Sequence, residues 1–68
     1  MDIEKVEQHI GKLVRIILNN NYNYTGVIPS KKTWKGTTFD FTDKFEKVIT
    51  MDCGMIGMIE VIDDGGGR

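Results

Sequence analysis

The alternation of apolar and polar residues begins with a pattern typical of a short helix. Ile3, Val6 and Ile10 recur at spacings of three and four residues, which places them on one stripe of a helix. We expect this helix to cover about residues 2–10 and to end at Gly11. A helix of about two turns is unstable by itself, so its apolar stripe must pack against another element.

Beyond the helix, period-two alternation of β-branched and aromatic residues predicts five short strands. They are KLVRIILNN, YNYTGVIP, TTFDFTD, KVITMDC and MIEVID, which start at residues 12, 22, 37, 47 and 58. Gly26 lies inside the second stretch, where a glycine indicates a sharp bend or the close approach of another backbone. Short strands at close spacing are typical of a small antiparallel barrel rather than a βαβ sheet. We therefore predict a single barrel domain over residues 1–64.

The connections carry residues typical of turns. Asn20 and Asn21 lie between the first two strands, where a type I′ turn requires positive φ at both central positions. Gly54 and Gly57 flank Met-Ile, which predicts a tight turn before the last strand. The glycine-rich residues 65–68 are interpreted as a disordered tail or a linker remnant.

Composition narrows the classes of function. Nine Lys and Arg balance ten Asp and Glu, so any binding of nucleic acid must depend on a local patch. Cys53 is the only cysteine, and together with His9 it cannot complete a four-ligand zinc site, so we expect no metal or other cofactor. No nucleophile–base pair is visible, which argues against an enzyme. No apolar run approaches ~20 residues and no signal peptide is visible, so a cytoplasmic protein without a membrane span is expected.

One basic–aromatic cluster stands out in the connector between the second and third strands. Lys31, Lys32, Trp34 and Lys35 combine cations for phosphates with an aromatic face on which a base can stack. Tyr22, near the tip of the first hairpin, is a further candidate for stacking. The alternative is a solubilising loop whose tryptophan folds back over the mouth of the barrel. The sequence leaves both interpretations open.

Two stretches resemble the Sm/LSm family. IGKLVRIILNNNYNYTGVI resembles its first two strands, and FTDKFEKVITMDCGMIGMIEVI is similar to the third to fifth strands of small Sm-like or SH3-like barrel proteins of archaea and their viruses. The resemblance covers about residues 2–62. It implies a helix followed by a five-stranded, strongly bent antiparallel barrel, which assembles into rings of six or seven subunits. It also implies single-stranded RNA held near the pore by two loops.

The chain differs from the family in both of those loops. In the family, one loop carries the pattern Asp-x-x-x-Asn and the other carries Arg-Gly. This chain has KKTWKGTT at the first place and Asp52-Cys53-Gly54 at the second. Methionine and isoleucine crowd the last two strands, which predicts a subunit interface on edge strands near 51–59. We expect an oligomeric, non-catalytic RNA-binding protein, or alternatively a structural or protein–protein interaction module that does not bind nucleic acid.

Overall fold

A computed structural model describes residues 1–63, and the predicted tail at 65–68 lies outside the described residues. The elements are helix α1 (Ile3–Glu7) and strands β1 (Leu13–Leu18), β2 (Asn23–Val27), β3 (Thr38–Asp43), β4 (Val48–Asp52) and β5 (Ile56–Asp63). A short 3-10 turn, Cys53–Met55, connects β4 to β5. The prediction of a mostly β chain with a short N-terminal helix is confirmed.

The strands form one antiparallel sheet in the order β4-β3-β2-β1-β5. Its two edge strands are nevertheless consecutive in the chain. Outer strands of a flat five-stranded sheet lie about 19 Å apart, whereas the four steps from Asp52 to Ile56 span at most about 14 Å. The sheet must therefore curl so that its edges approach each other at the 3-10 turn.

The curled sheet is not closed, so the prediction of a barrel is wrong for residues 1–63. β4 pairs with β3 and β5 pairs with β1, but β4 and β5 do not pair with each other. β5 follows β1 from Leu18↔Ile56 to Leu13↔Asp63, which leads it away from β4 beyond the turn. Within the described residues, β4 and residues 56–62 of β5 therefore keep one unpaired row of backbone N–H and C=O groups.

The helix is shorter than predicted. It ends at Glu7, with Gln8 as its C-cap. The chain then turns so that Ile10 forms a parallel bridge with Ile28, and Gly11 N–H donates to the Ile28 carbonyl at 2.9 Å. Gly11 has φ +82°, a left-handed conformation that suits glycine. The chain therefore leaves the helical conformation after Glu7, because Ile10 and Gly11 pair with Ile28 at the end of β2.

The core agrees with the predicted alternation. Val14, Ile16 and Leu18 on β1 are buried, as are Phe39 and Phe41 on β3. The remaining buried apolar residues are Val6, Ile28, Met51, Cys53 and Ile56, and Ile3 on α1 and Ile10 after it pack against them. Ile3 and Val6 of α1 therefore pack on the core, in agreement with the prediction that the helix needs another element to pack against.

Gly26 lies where β2 passes close to β3. It pairs with Asp43, and a Cβ added at this position would lie 2.7 Å from the Asp43 Cα and closer still to the Thr42 carbonyl oxygen. Real side chains do not approach backbone so closely. The predicted close approach at Gly26 is confirmed.

The β1–β2 and β3–β4 hairpins share one turn geometry. Asn21 N–H donates to the Leu18 carbonyl, and Glu46 N–H donates to the Asp43 carbonyl, each at 2.9 Å. Asn21 (φ 71°) and Glu46 (φ 66°) are left-handed. Because Asn20 is not, the predicted type I′ turn is wrong, and the loop is a three-residue one that ends in a left-handed residue.

The connection before the last strand also differs from the prediction. Tight turning between Gly54 and Gly57 was expected, but the 3-10 turn covers Cys53–Met55 and β5 begins at Ile56. Asp52 caps this turn through its side chain, which accepts a hydrogen bond from Gly54 N–H. Gly57 is therefore part of β5, at an irregularity in the pairing with β1.

Candidate nucleic-acid interface

The basic–aromatic connector, residues 29–37, is held to the rest of the fold at several points. Lys31 Nζ lies 3.2 Å from Glu7 Oε2 on α1. The Thr33 hydroxyl donates to Asp40 Oδ2 at 2.5 Å. Lys35 and Thr38 exchange backbone hydrogen bonds of 3.1 and 2.9 Å. These contacts place the connector over the start of β3.

Trp34 is half-buried in this connector rather than displayed on it. Its ring centroid lies 5.7 Å from that of Phe39, with the two planes tilted by 54°. The indole Nε1 is buried and has no hydrogen-bond partner among residues 1–63. The ring thus packs beside Phe39 of the core, which leaves less of it available for stacking on a base.

The lysines of the connector differ in their surroundings. Lys31 is engaged by Glu7, whereas Lys32 and Lys35 are exposed and form no ion pair within the described chain. An exposed ion pair such as Lys31–Glu7 contributes at most about 1 kcal/mol and competes only weakly with a phosphate. Lys32 and Lys35 are therefore the most available cations of the cluster.

Tyr22 does not join this cluster. It precedes β2, while Lys31 follows it, so the two lie at opposite ends of that strand. An extended strand of five residues separates its ends by about 17 Å. Tyr22 is 66% exposed, and its N–H donates to Asn20 Oδ1 at 3.1 Å. It stands at the tip of the β1–β2 hairpin as a separate aromatic surface.

The connector and the β4–β5 turn are joined directly. Cys53 N–H donates to the Thr37 carbonyl at 2.9 Å, and the Thr37 hydroxyl donates to Asp52 Oδ2 at 3.2 Å. Asp52 Oδ1 accepts the 2.8 Å bond from Gly54 N–H. Both carboxylate oxygens of Asp52 are thus used to build the turn. Sequence reasoning missed this role, although Asp two residues before Gly is a signal for such a cap.

Asp40 ties the connector to two strands. Its carboxylate accepts the Thr33 hydrogen bond and a second one from the Thr50 hydroxyl on β4 at 2.8 Å. These bonds favour the ionised form, with Thr33 contributing most, so the pKa of Asp40 lies below its ordinary value.

A hollow of about 250 Å³ lies between the β1–β2 hairpin and the β4–β5 turn, and sequence reasoning missed it. It is lined by Leu18, Asn19, Asn20, Gly54 and Met55. Asn19 joins the two sides, because its N–H donates to the Met55 carbonyl at 2.9 Å and its Nδ2 to the Gly54 carbonyl at 3.1 Å. The asparagines therefore do more than form a bend.

A smaller hollow of about 120 Å³ lies beside the β3–β4 hairpin, lined by residues that include Tyr24, Asp43 and Phe45. Residues 1–63 hold no group of three or more His, Cys, Asp or Glu side chains arranged to bind a metal ion. Within the same range, no helix has the length and apolar character needed to cross a membrane.

Comparison with known proteins gives no match: no family model, no curated protein and no solved structure matches this chain.

Proposed function

We propose that this chain is an Sm-like, non-catalytic β module that works as a homo-oligomer assembled through its two sheet edges. One observation carries the proposal: within the described chain, β4 and residues 56–62 of β5 pair with another strand on one side only, and they carry exposed apolar side chains. Val48 on β4 is 68% exposed, and Met58 and Ile62 on β5 are 51% and 46% exposed. Open edges with apolar side chains favour pairing with another chain.

The two edges are different surfaces, so pairing β4 of one subunit with β5 of the next is heterologous. Heterologous contacts close into rings when the rotation between subunits permits. A ring of six or seven subunits, the form implied by the Sm resemblance, is part of this proposal. A 68-residue chain buries a modest core alone, and association adds to its stability.

Molar mass in solution tests the assembly. Light scattering or sedimentation equilibrium at ~100 µM chain is expected to give a mass several times 7.7 kDa that falls on dilution. A mass of 7.7 kDa at that concentration contradicts the proposal. The same measurement on Val48→Lys, compared with Gln8→Lys at the exposed C-cap of α1, separates an edge effect from the added positive charge.

A second candidate function is the binding of single-stranded RNA by this assembly. Two observations favour it: Lys32 and Lys35 are exposed and form no ion pair with any residue from 1 to 63, and the connector that carries them is hydrogen-bonded to the β4–β5 turn. Two lysines supply a modest, salt-dependent attraction, and an oligomer multiplies it by presenting several copies to one strand.

Fluorescence anisotropy with labelled oligo-U and oligo-A at low salt tests this second function. Binding should weaken in Lys32→Ala/Lys35→Ala, with a smaller salt slope of about 0.7 per lost phosphate contact, and stay unchanged in Lys5→Ala. Trp34→Ala should also weaken it if the ring leaves Phe39 to stack on a base. Absence of binding at micromolar protein favours the alternative, a protein–protein interaction module that does not bind nucleic acid.

A further inference from the structure

The hollow between the β1–β2 hairpin and the β4–β5 turn has the chemistry of a site for a flat, uncharged ring. Its five lining residues are Leu18, Asn19, Asn20, Gly54 and Met55, none of which ionises. A charged ligand would lose its hydration there without a counter-charge. Leu18 is buried and supplies an apolar floor, and the thioether of Met55 is suited to contact with an aromatic ring.

The rim also offers a pair of polar groups. Asn20 Oδ1 is used by Tyr22 N–H and Asn19 Nδ2 by the Gly54 carbonyl. Within residues 1–63, the other halves of these two amides, Asn20 Nδ2 and Asn19 Oδ1, make no hydrogen bond. Both asparagines line the hollow, so each brings to it a side-chain amide with one hydrogen-bonding group unused within residues 1–63.

We propose that this hollow is a binding site for a nucleobase. An aromatic hydrocarbon ring leaves both free amide groups without partners, whereas a base carries donors and acceptors on its edge and apolar faces above and below. Exposed Tyr22, next to Asn20, provides a stacking surface for an adjacent base. The inference deepens the proposed RNA binding, because it assigns a base site distinct from the lysine connector.

The site is held in shape before any ligand arrives. The two hydrogen bonds from Asn19 to Met55 and Gly54 fix the hairpin against the turn, and the Asp52 cap holds the turn itself. Little ordering entropy is then lost on binding. The Thr37–Cys53 and Thr37–Asp52 bonds join the β4–β5 turn to the connector that carries Lys32 and Lys35.

Nitrogen-15 NMR titration of the full chain tests the site with three probes: uridine monophosphate, adenosine monophosphate and oligo-U hexamer. We expect saturable shifts of the backbone amide signals of Asn19, Asn20 and Met55 that persist when the salt concentration is raised. The mononucleotides report a site for free nucleotides and the hexamer a site on a strand. A larger shift of the same signals by N-acetyl-tryptophanamide would overturn the inference in favour of a protein side chain.

Asn20→Asp is the informative variant. It keeps the Oδ1 that accepts Tyr22 N–H and so keeps the turn, but it replaces the free donor by an acceptor. Loss of one hydrogen bond is expected to weaken binding of the probes about threefold to tenfold. Asn23→Asp adds the same charge at the one exposed position of β2, outside the hollow, and serves as the matched control. Equal weakening in both variants overturns the inference.

The base site and the proposed RNA binding can fail separately. If the hexamer binds and depends on Lys32 and Lys35 while the signals of Asn19 and Asn20 stay unmoved, the base site is wrong and the proposed function stands. If the mononucleotides shift those signals but Lys32→Ala/Lys35→Ala has no effect on the hexamer, the base site stands and the lysine connector is not the RNA contact.

Discussion

At the scale of single residues, Gly26 is the position where the fold tolerates no side chain. A Cβ there meets the backbone of Thr42 and Asp43, which belongs to a paired strand and cannot move without breaking that pairing. Gly26→Ala is expected to lower the free energy of unfolding by at least about 2 kcal/mol, as overpacking does. Urea unfolding followed by circular dichroism measures this loss.

Gly54→Ala is the comparison for that measurement. The Cβ added at Gly54 meets only the side-chain oxygen Asp52 Oδ1, at 3.3 Å, and a side chain can shift. We expect a loss of less than about 1 kcal/mol, within the range of surface substitutions. If the two alanine variants unfold at the same urea concentration, the close approach of β2 to β3 is not what requires glycine at position 26.

Glu46 has a positive φ, a backbone conformation that is unfavourable for glutamate. It is left-handed, a conformation that costs an ordinary residue roughly 1–2 kcal/mol and glycine nothing. Allowing for the greater flexibility of glycine in the unfolded chain, Glu46→Gly is expected to raise the free energy of unfolding by about 0.5–1 kcal/mol. Thermal unfolding monitors the gain.

The equivalent turn of the other hairpin supplies the control. Asn21 is also left-handed, but asparagine adopts this conformation far more readily than glutamate. Asn21→Gly should therefore stabilise less than Glu46→Gly. A larger gain at Asn21 would show that the interactions of the Glu46 side chain, and not backbone strain, decide the effect.

Burial was predicted correctly for residues whose environment is decided by strand alternation alone. Alternation alone identified buried Val14, Ile16, Phe39 and Phe41, because a strand with one face on the core must alternate. The environment of Trp34 was left as two alternatives, since a lone aromatic residue in a polar connector carries no periodic signal. Its contact with Phe39 depends on how the connector folds back in three dimensions.

At the scale of elements, Asp40 fastens the connector to the sheet, and its titration is the measurable sign of that contact. Its pKa lies below the ordinary 3.8 because the Thr33 and Thr50 hydroxyls favour the carboxylate. A carboxyl group with a lowered pKa in the folded state contributes stability above its unfolded pKa. That contribution is lost as the pH falls below about 3.8, through the folded pKa.

Carboxyl carbon-13 NMR measures this titration directly. Thr33→Val is expected to move the pKa of Asp40 up toward its ordinary value, and Thr50→Val to do so less, because Thr33 is the larger cause. Thr42→Val is the matched control on the same face of β3, since the Thr42 side chain makes no hydrogen bond to Asp40. An unchanged pKa in Thr33→Val contradicts the attachment of the connector.

The type of each helix or strand was predicted better than the residues at which it begins and ends. The five strands were expected because β-branched and aromatic residues alternate in them. The helix was extended to residue 10 because Ile10 fits the helical stripe, but its bridge to Ile28 is a long-range contact that local periodicity does not contain. The hollow at Asn19 was missed for the same reason: its two sides are 35 residues apart in the chain.

At the scale of the whole molecule, the open sheet is the feature that local pattern could not give. The strand order follows from hairpins and from the return of β5 to β1, whereas closure depends on whether β4 and β5 stay together beyond a three-residue turn. Alternation is identical in an open and a closed sheet. Only the three-dimensional strand pairing therefore identifies the open edges on which the proposed assembly depends.

Heterologous assembly makes a prediction that symmetric pairing does not. Val48→Lys places a charge on the β4 edge and Ile62→Lys places one on the β5 edge, and an edge lysine disfavours strand addition. If β4 of one subunit pairs with β5 of the next, each variant alone loses its assembly. Each still retains one intact edge, and those edges are complementary. An equimolar mixture should then form a dimer of twice 7.7 kDa and nothing larger.

Native mass spectrometry distinguishes the possibilities, because the two variants differ in mass. The heterologous arrangement predicts a dimer that contains one chain of each variant and is absent from either variant alone. Pairing of β4 with β4 predicts instead that Ile62→Lys dimerises alone, and pairing of β5 with β5 predicts that Val48→Lys does. Because a ring needs two different edges on every subunit, either of these symmetric results would limit the chain to dimers and exclude the ring.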